Sequence, residues 1–74
     1  MKSLMVARID NDIYINLLQK DHDNFMVEHN NIVIDGYKAR PVIGARRIEK
    51  RFVSKFTAIQ YYTTVVTEVL EAIE

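Results

Sequence analysis

The sequence has 74 residues, 49% of them hydrophobic, and its 10 basic and 10 acidic side chains give a net charge of zero. A chain this short builds one hydrophobic core, and its apolar content with only two glycines and one proline excludes a disordered or low-complexity protein. Because it has no cysteine, disulfides and thiolate-bound zinc cannot stabilise the predicted single domain, residues 1–74, and we expect self-association to do so.

The first strand signals are two apolar-rich runs, residues 4–9 and 13–18. The polar cluster Asp10-Asn11-Asp12 separates them, which predicts a hairpin with a short turn. A second turn cluster, residues 21–24, contains Asp and Asn side chains that bond to the local backbone. Residues 25–29 are therefore predicted to form a third strand.

A second hairpin is predicted around Asp35-Gly36, which lies between two β-prone arms. An Asp-Gly pair suits a type I′ turn, whose two central residues need positive φ. Pro41 lacks a backbone donor, so the second arm should lie at a sheet edge or end near Arg40, and Gly44 marks a break. The strand side chains that we expect in the core are Leu4, Val6, Ile13, Ile15, Ile32 and Ile34.

The C-terminal third combines β-prone residues with a helical pattern. Residues 61–67 are rich in Tyr, Thr and Val, which favour strands. Apolar residues nevertheless recur through this segment at alternating spacings of four and three, which predicts an amphipathic helix over about residues 54–73. A start at Ala45 and a capping box at residues 57–60 are left open as alternatives at its N-terminus. The core side chains predicted for this segment are Phe52, Phe56, Ile59, Val66, Leu70 and Ile73.

Together these signals predict an α+β fold, in which three to five short antiparallel strands within residues 4–43 pack against the C-terminal helix. The apolar stretch at the start of the sequence is broken by Arg8 and Asp10, and it is too short for a signal segment or a membrane span. We therefore expect a cytoplasmic protein with no membrane partner.

The charges are unevenly distributed along the chain. Residues 38–55 contain seven basic side chains and one acidic one, whereas residues 56–74 contain three acidic side chains and no basic one. If residues 45–55 are helical, Arg47 and Arg51 lie on one side and could bind phosphate or clustered carboxylates. The candidate partner- or phosphate-binding residues are Lys38, Arg40, Arg46, Arg47, Lys50, Arg51 and Lys55.

This charge order opposes the helix dipole, which favours acidic residues at the N-terminus and basic residues at the C-terminus. The residues concerned are Lys50, Arg51 and Lys55 at the start of the predicted helix and Glu68, Glu71 and Glu74 at its end. An antiparallel dimer of two such helices would bring opposite charges together. The alternative is that the acidic end is simply frayed and solvated.

Motifs for catalysis are missing from the sequence. It lacks a cysteine nucleophile, a glycine-rich phosphate loop and a His-x-x-x-His pair, so we expect no enzymatic activity and no cofactor. Five potential metal ligands occur close together, but their spacing matches no established pattern, and we expect a solvated turn and no metal site. These ligands are Asp21, His22, Asp23, Glu28 and His29.

The four tyrosines are Tyr14, Tyr37, Tyr61 and Tyr62. Aromatic side chains on a sheet can stack on nucleic-acid bases. Tyrosines in small domains more often pack their rings at the core edge with the hydroxyl in water, and we prefer that interpretation here.

The sequence therefore predicts a small non-enzymatic protein-interaction or regulatory module. We expect a homodimer through the C-terminal helix, and a protein partner that binds the basic segment and an exposed sheet edge. One alternative is a nucleic-acid-binding regulator that contacts phosphates through residues 38–55, although zero net charge argues against a general nucleic-acid binder. The other alternative is a structural subunit of a larger assembly.

Overall fold

The computed structural model describes residues 1–36 and 38–73. Antiparallel sheets pack against a single C-terminal helix in this part of the chain, which confirms the predicted α+β class. The elements are β1 (Lys2–Asp10), β2 (Ile13–Asp21), β3 (Asn24–His29), β4 (Ile32–Asp35), β5 (Lys38–Pro41), β6 (Ile48–Phe52) and α1 (Lys55–Ile73).

The larger sheet has the strand order β1-β2-β3-β6, and all of its neighbouring strands are antiparallel. The β4–β5 hairpin is inserted between β3 and β6 and forms a separate two-stranded sheet. The first five strands match the predicted ones. The sixth, β6, lies outside the predicted range of residues 4–43, because this charged segment pairs with the second edge of β3.

The β4–β5 turn differs from the predicted one. Asp35 pairs with Lys38, so Asp35 is the last paired residue of β4 and not a central residue of the turn. Gly36 has a φ of 65°, a conformation that costs glycine little. Tyr37 lies outside the described residues.

The helix begins close to the predicted boundary. Ser54 caps it, because its Oγ accepts a hydrogen bond from the Thr57 N–H at 3.4 Å and its carbonyl accepts one from the Ala58 N–H at 3.1 Å. The alternative start at Ala45 and the alternative cap at Thr57 are therefore wrong. The β-prone residues 61–67 are helical, as the apolar period predicts.

The core lies between the larger sheet, the hairpin and one face of α1. Of the predicted strand residues, Ile13, Ile15 and Ile32 are buried and Leu4 is partly buried. The predictions for Val6 and Ile34 are wrong, because both side chains are exposed. The buried apolar side chains of the sheets are Ile13, Ile15, Leu17, Leu18, Phe25, Met26, Val27, Ile32 and Ala39.

The predicted core face of the helix is wrong for Phe56, Leu70 and Ile73, whereas Phe52, Ile59 and Val66 pack against the core. The helix buries a different row, Ala58, Tyr62, Val65 and Val69. Of the predicted set, Phe56, Leu70 and Ile73 are exposed, Ile59 and Val66 are partly buried, and Phe52 belongs to β6. Both rows have the same alternating spacing, so the period alone does not identify the buried row.

Asn31 joins the turns at one end of the molecule. It has a φ of 56°, which Asn tolerates better than most residues. Its Nδ2 donates to the Asp12 carbonyl, and its Oδ1 accepts from the Gly44 N–H at 2.9 Å. Its own carbonyl accepts from the Val42 N–H at 2.8 Å. One side chain and one peptide unit therefore connect the β1–β2 turn with the loop before β6.

Within residues 1–36 and 38–73, no helix combines the length and the apolar character that crossing a membrane requires.

Candidate interaction surface

One flank of α1 carries apolar side chains that the other described residues leave largely or partly exposed. Phe56 is 71% exposed, Leu70 is 45% exposed and Ile73 is 52% exposed. Alternating spacings of three and four residues are typical of a seam between two packed helices. We call this row the apolar stripe, and its members are Phe56, Ile59, Thr63, Val66, Leu70 and Ile73.

The contacts of the opposite flank show where the stripe points. Tyr61 packs against Phe52 of β6 with ring centroids 5.4 Å apart, and Glu68 bonds to Ala39 of β5. The stripe lies about 100° around the helix from the buried row, on the other side from these contacts. It therefore faces the β1 edge of the sheet, at the end of the strand order opposite β6.

Strand β1 continues this apolar surface. Its Leu4, Ala7 and Ile9 are partly buried at the margin of the same core that Ile59 and Val66 border from the helix. The outer edge of β1 has no strand beside it in the described part of the chain. The stripe and the β1 edge thus border the same core, and each also carries exposed apolar side chains.

No protein-family model, curated protein or solved structure matches this chain.

The predicted basic residues do not form one array. They belong to β5 (Lys38 and Arg40), to the loop before β6 (Arg46 and Arg47), to β6 (Lys50 and Arg51) and to the start of α1 (Lys55). Because residues 48–52 form a strand, their side chains alternate between the two sheet faces, and the helical array considered for residues 45–55 is wrong. Binding by these residues stays a prediction.

Lys50 lies on the helix side of the sheet, where its Nζ is 5.0 Å from the centre of the Tyr61 ring. Arg47 contacts the opposite face, where it pairs with Glu28 and, at 3.5 Å, with Glu49. The bond to Glu28 is the main reason why the pKa of Arg47 is raised. Arg40 pairs with Asp35 of the hairpin at 3.7 Å. The basic side chains thus lie in three different environments, which are the helix side of the sheet, its opposite face and the β4–β5 hairpin.

The sheet face away from the helix carries a polar network. The Ser3 hydroxyl donates to Asn16 Oδ1 at 3.0 Å, and Asn16 Nδ2 donates to Glu28 Oε1 at 3.2 Å. Arg47 donates to the other oxygen of Glu28. Both oxygens of this nearly buried carboxylate accept hydrogen bonds, so the network holds the Glu28 side chain in place on this sheet face.

The potential metal ligands are not brought together. Glu28 and His29 are neighbours in β3 and point to opposite sheet faces, whereas His22 is exposed in a turn. No three His, Asp or Glu side chains of the described residues are arranged to hold a metal ion. The rings of two tyrosines pack in α1 as predicted, where Tyr62 is buried and Tyr61 is partly buried. The predicted solvent-exposed hydroxyl is wrong for Tyr61, because that hydroxyl lies 3.1 Å from Nε2 of the buried His29.

His29 is the one fully buried imidazole among the described residues. Its Nε2 lies 3.1 Å from the Tyr61 hydroxyl, and its Nδ1 is buried without a partner in the described structure. Burial lowers the pKa of His29 and raises the pKa of Tyr61, so both groups are held neutral. This pair is consistent with a packing role beneath the helix.

We expect this burial to make stability depend on pH. The unfolded chain protonates His29 near about pH 6.5, whereas the folded protein does so only at lower pH. The unfolded state therefore binds more protons, and stability should fall as the pH drops below about 6.5 until the lower folded-state pKa is passed. Urea midpoints of the wild type and of His29→Leu, measured between about pH 5 and 8, should differ in this slope. His22→Gln is the control and should keep the wild-type slope; loss of the slope in that variant would contradict the assignment.

Proposed function

We propose that the protein is a small non-enzymatic protein-interaction module that forms a homodimer through the apolar stripe of α1. The supporting observation is the exposure of Phe56, Leu70 and Ile73 on one flank of a 19-residue helix. Burying apolar surface contributes about 25 cal/mol per Å² to stability. A small monomer that leaves these side chains in water does not gain this free energy. Contact with a second stripe removes that surface from water on both copies.

A two-fold axis suits this surface. In a two-fold dimer the same patch of each copy meets its equivalent, and two helices related in this way can lie antiparallel. The N-terminal part of one stripe, at Phe56, then lies near the C-terminal part of the other, at Ile73. The alternation of three and four residues keeps the stripe on one side along the whole helix.

The proposal depends on apolar contact and not on the opposed charges of the chain. Glu68 accepts a hydrogen bond from the Ala39 N–H at 2.8 Å, so its carboxylate already has a partner in its own hairpin. Lys50 lies against Tyr61 on the flank away from the stripe. The basic residues lie on different sheet faces and form no single positive surface. The nucleic-acid alternative therefore has less support than the apolar stripe gives to a dimer.

We expect Leu70→Lys to abolish the dimer and Thr67→Lys to preserve it. Both variants add one positive charge near the C-terminal end of α1, where the helix dipole tolerates it, but only Leu70 belongs to the stripe. Sedimentation should give a wild-type dimer that persists near about 1 M salt, because screening weakens exposed ion pairs and not apolar contacts. Equal helix content by circular dichroism would show that both variants are folded. A wild-type protein that is monomeric at high concentration would refute the proposal.

A further inference from the structure

We infer that the outer edge of β6 binds an acidic segment of a partner protein, which adds to the larger sheet as a further antiparallel strand. This inference goes beyond the homodimer and does not depend on it, because β6 contacts the flank of α1 opposite the apolar stripe. It makes β6 a docking surface for an extended peptide that carries carboxylate side chains.

β6 is the edge strand of the larger sheet at the end opposite β1. It pairs with β3 on one side, and no strand pairs with its other side in the described part of the chain. Glu49, Lys50 and Arg51 are exposed, so the unpaired backbone groups on that side are accessible to another strand. All neighbouring strands in this sheet are antiparallel, and an added strand would continue that pattern.

The basic side chains of β6 lie on both faces of the sheet. Lys50 is on the helix side, 5.0 Å from the centre of the Tyr61 ring, and Arg51, the next residue, points to the opposite face. Neither forms an ion pair with a carboxylate of the described residues. The acidic residue of the strand, Glu49, pairs with Arg47 at 3.5 Å. The edge therefore offers two positive charges that an acidic partner can neutralise.

An added strand can reach both of these charges. Successive side chains of a strand point to alternate faces, so a peptide paired with β6 alternates in step with it. One carboxylate then lies beside Lys50 on the helix side, and the neighbouring carboxylate lies beside Arg51 on the other face. Opposite charges on paired strands are favourable. A phosphate backbone that lies on one sheet face contacts only one of the two residues.

The helix side of this edge also contains a groove for an apolar side chain. The rings of Phe52 and Tyr61 line it, together with Thr57, Gln60 and Thr64 of α1. A peptide residue opposite Phe52 points to the same sheet face and therefore toward this groove. In strand addition, backbone hydrogen bonds supply affinity, and pockets for alternate side chains supply specificity. The favoured antiparallel ligand thus has an apolar residue followed by two acidic ones.

A fluorescent peptide with the sequence Phe-Glu-Glu-Thr-Val is the probe for this edge. Fluorescence anisotropy at low salt should show saturable binding to the wild-type protein, and the peptide Phe-Lys-Lys-Thr-Val should not bind. Lys50→Glu should weaken binding about fivefold or more, because it places like charges side by side. Arg8→Glu is the matched control, since it makes the same change at an exposed residue of β1, and it should stay within about twofold of the wild type.

N-methylated peptides test strand pairing with the unaltered protein. In an antiparallel pair, only alternate N–H groups of the peptide point toward β6. Methylation of one alternate set should abolish binding, whereas methylation of the other set should leave the affinity nearly unchanged. Attraction between charges without strand pairing would not distinguish the two sets. Selective effects of one methylated set and of Lys50→Glu together support the inference.

The inference would be overturned if the acidic peptide did not bind at millimolar concentration. Equal effects of the two methylated sets, or equal weakening by Lys50→Glu and Arg8→Glu, would also overturn it. Tighter binding of an oligothymidylate of matched length would indicate a nucleic-acid surface instead. A peptide that dissociates the wild-type dimer would show that a second copy occupies this edge, and it would overturn the inference too. A monomeric wild type that still binds the peptide would refute only the homodimer.

Discussion

Replacing Leu17 by alanine should lower the free energy of unfolding by about 2–5 kcal/mol. Leu17 is fully buried in the centre of β2, and it packs in the core that α1 covers. Removing its branched end leaves a cavity in a domain whose total stability is of the order of 0.05–0.15 kcal/mol per residue. Urea denaturation followed by circular dichroism should show a large loss of stability, or an unfolded protein at room temperature.

Leu70→Ala is the matched control, because it truncates the same side chain on the uncovered flank of α1. Its cost should stay below about 1 kcal/mol when the protein is dilute enough to be monomeric. The sequence pattern assigns Leu70 to the core, so this pair of variants distinguishes the two faces. Equal losses of stability in both variants would contradict the orientation of the helix.

Replacing Glu68 by alanine should detach the β4–β5 hairpin from the helix. The Glu68 carboxylate accepts a hydrogen bond from the Ala39 N–H at 2.8 Å, and Ala39 is buried. Losing the acceptor leaves that N–H without its partner, at a cost of about 1–3 kcal/mol. Hydrogen exchange should become faster in β4 and β5 than in the β1–β2–β3 part of the sheet, because a two-stranded hairpin is barely stable alone.

Glu71→Ala removes the same charge from the next turn of the helix, where the side chain is exposed. Its effect on stability should stay within about 0.5 kcal/mol. Unchanged exchange in the hairpin of the Glu68 variant would show that other contacts hold it against α1.

Strand positions and the helix could be predicted because their signals are local. The polar cluster at residues 10–12 and the glycine at position 36 end strands through local backbone preferences. These preferences do not depend on the positions of distant residues. β6 could not be predicted in this way, since its charged residues give no alternating apolar pattern. It is a strand because β3 has a second edge with which it can pair, and the paired residues of β3 lie 19 to 27 positions earlier in the sequence.

The helix face could not be predicted for a different reason. Two apolar rows share one period, and a periodic pattern alone cannot say which row meets the sheet. The larger side chains of Phe56 and Leu70 favour the row that is exposed, whereas the row that meets the sheet begins with the small Ala58. The stripe was thus visible in the sequence as an apolar row, and only its exposure identifies it as a candidate interface.

The bonds of Asn31 determine where the chain can change in length. An extra residue in the β1–β2 turn would move the Asp12 carbonyl away from the amide that binds it, and the displacement would reach Gly44 through the same side chain. The turn between β2 and β3, at the opposite end, is exposed at His22 and Asp23 and has no such connection in the described structure. Insertions, tags and fused segments should therefore be accommodated at that turn.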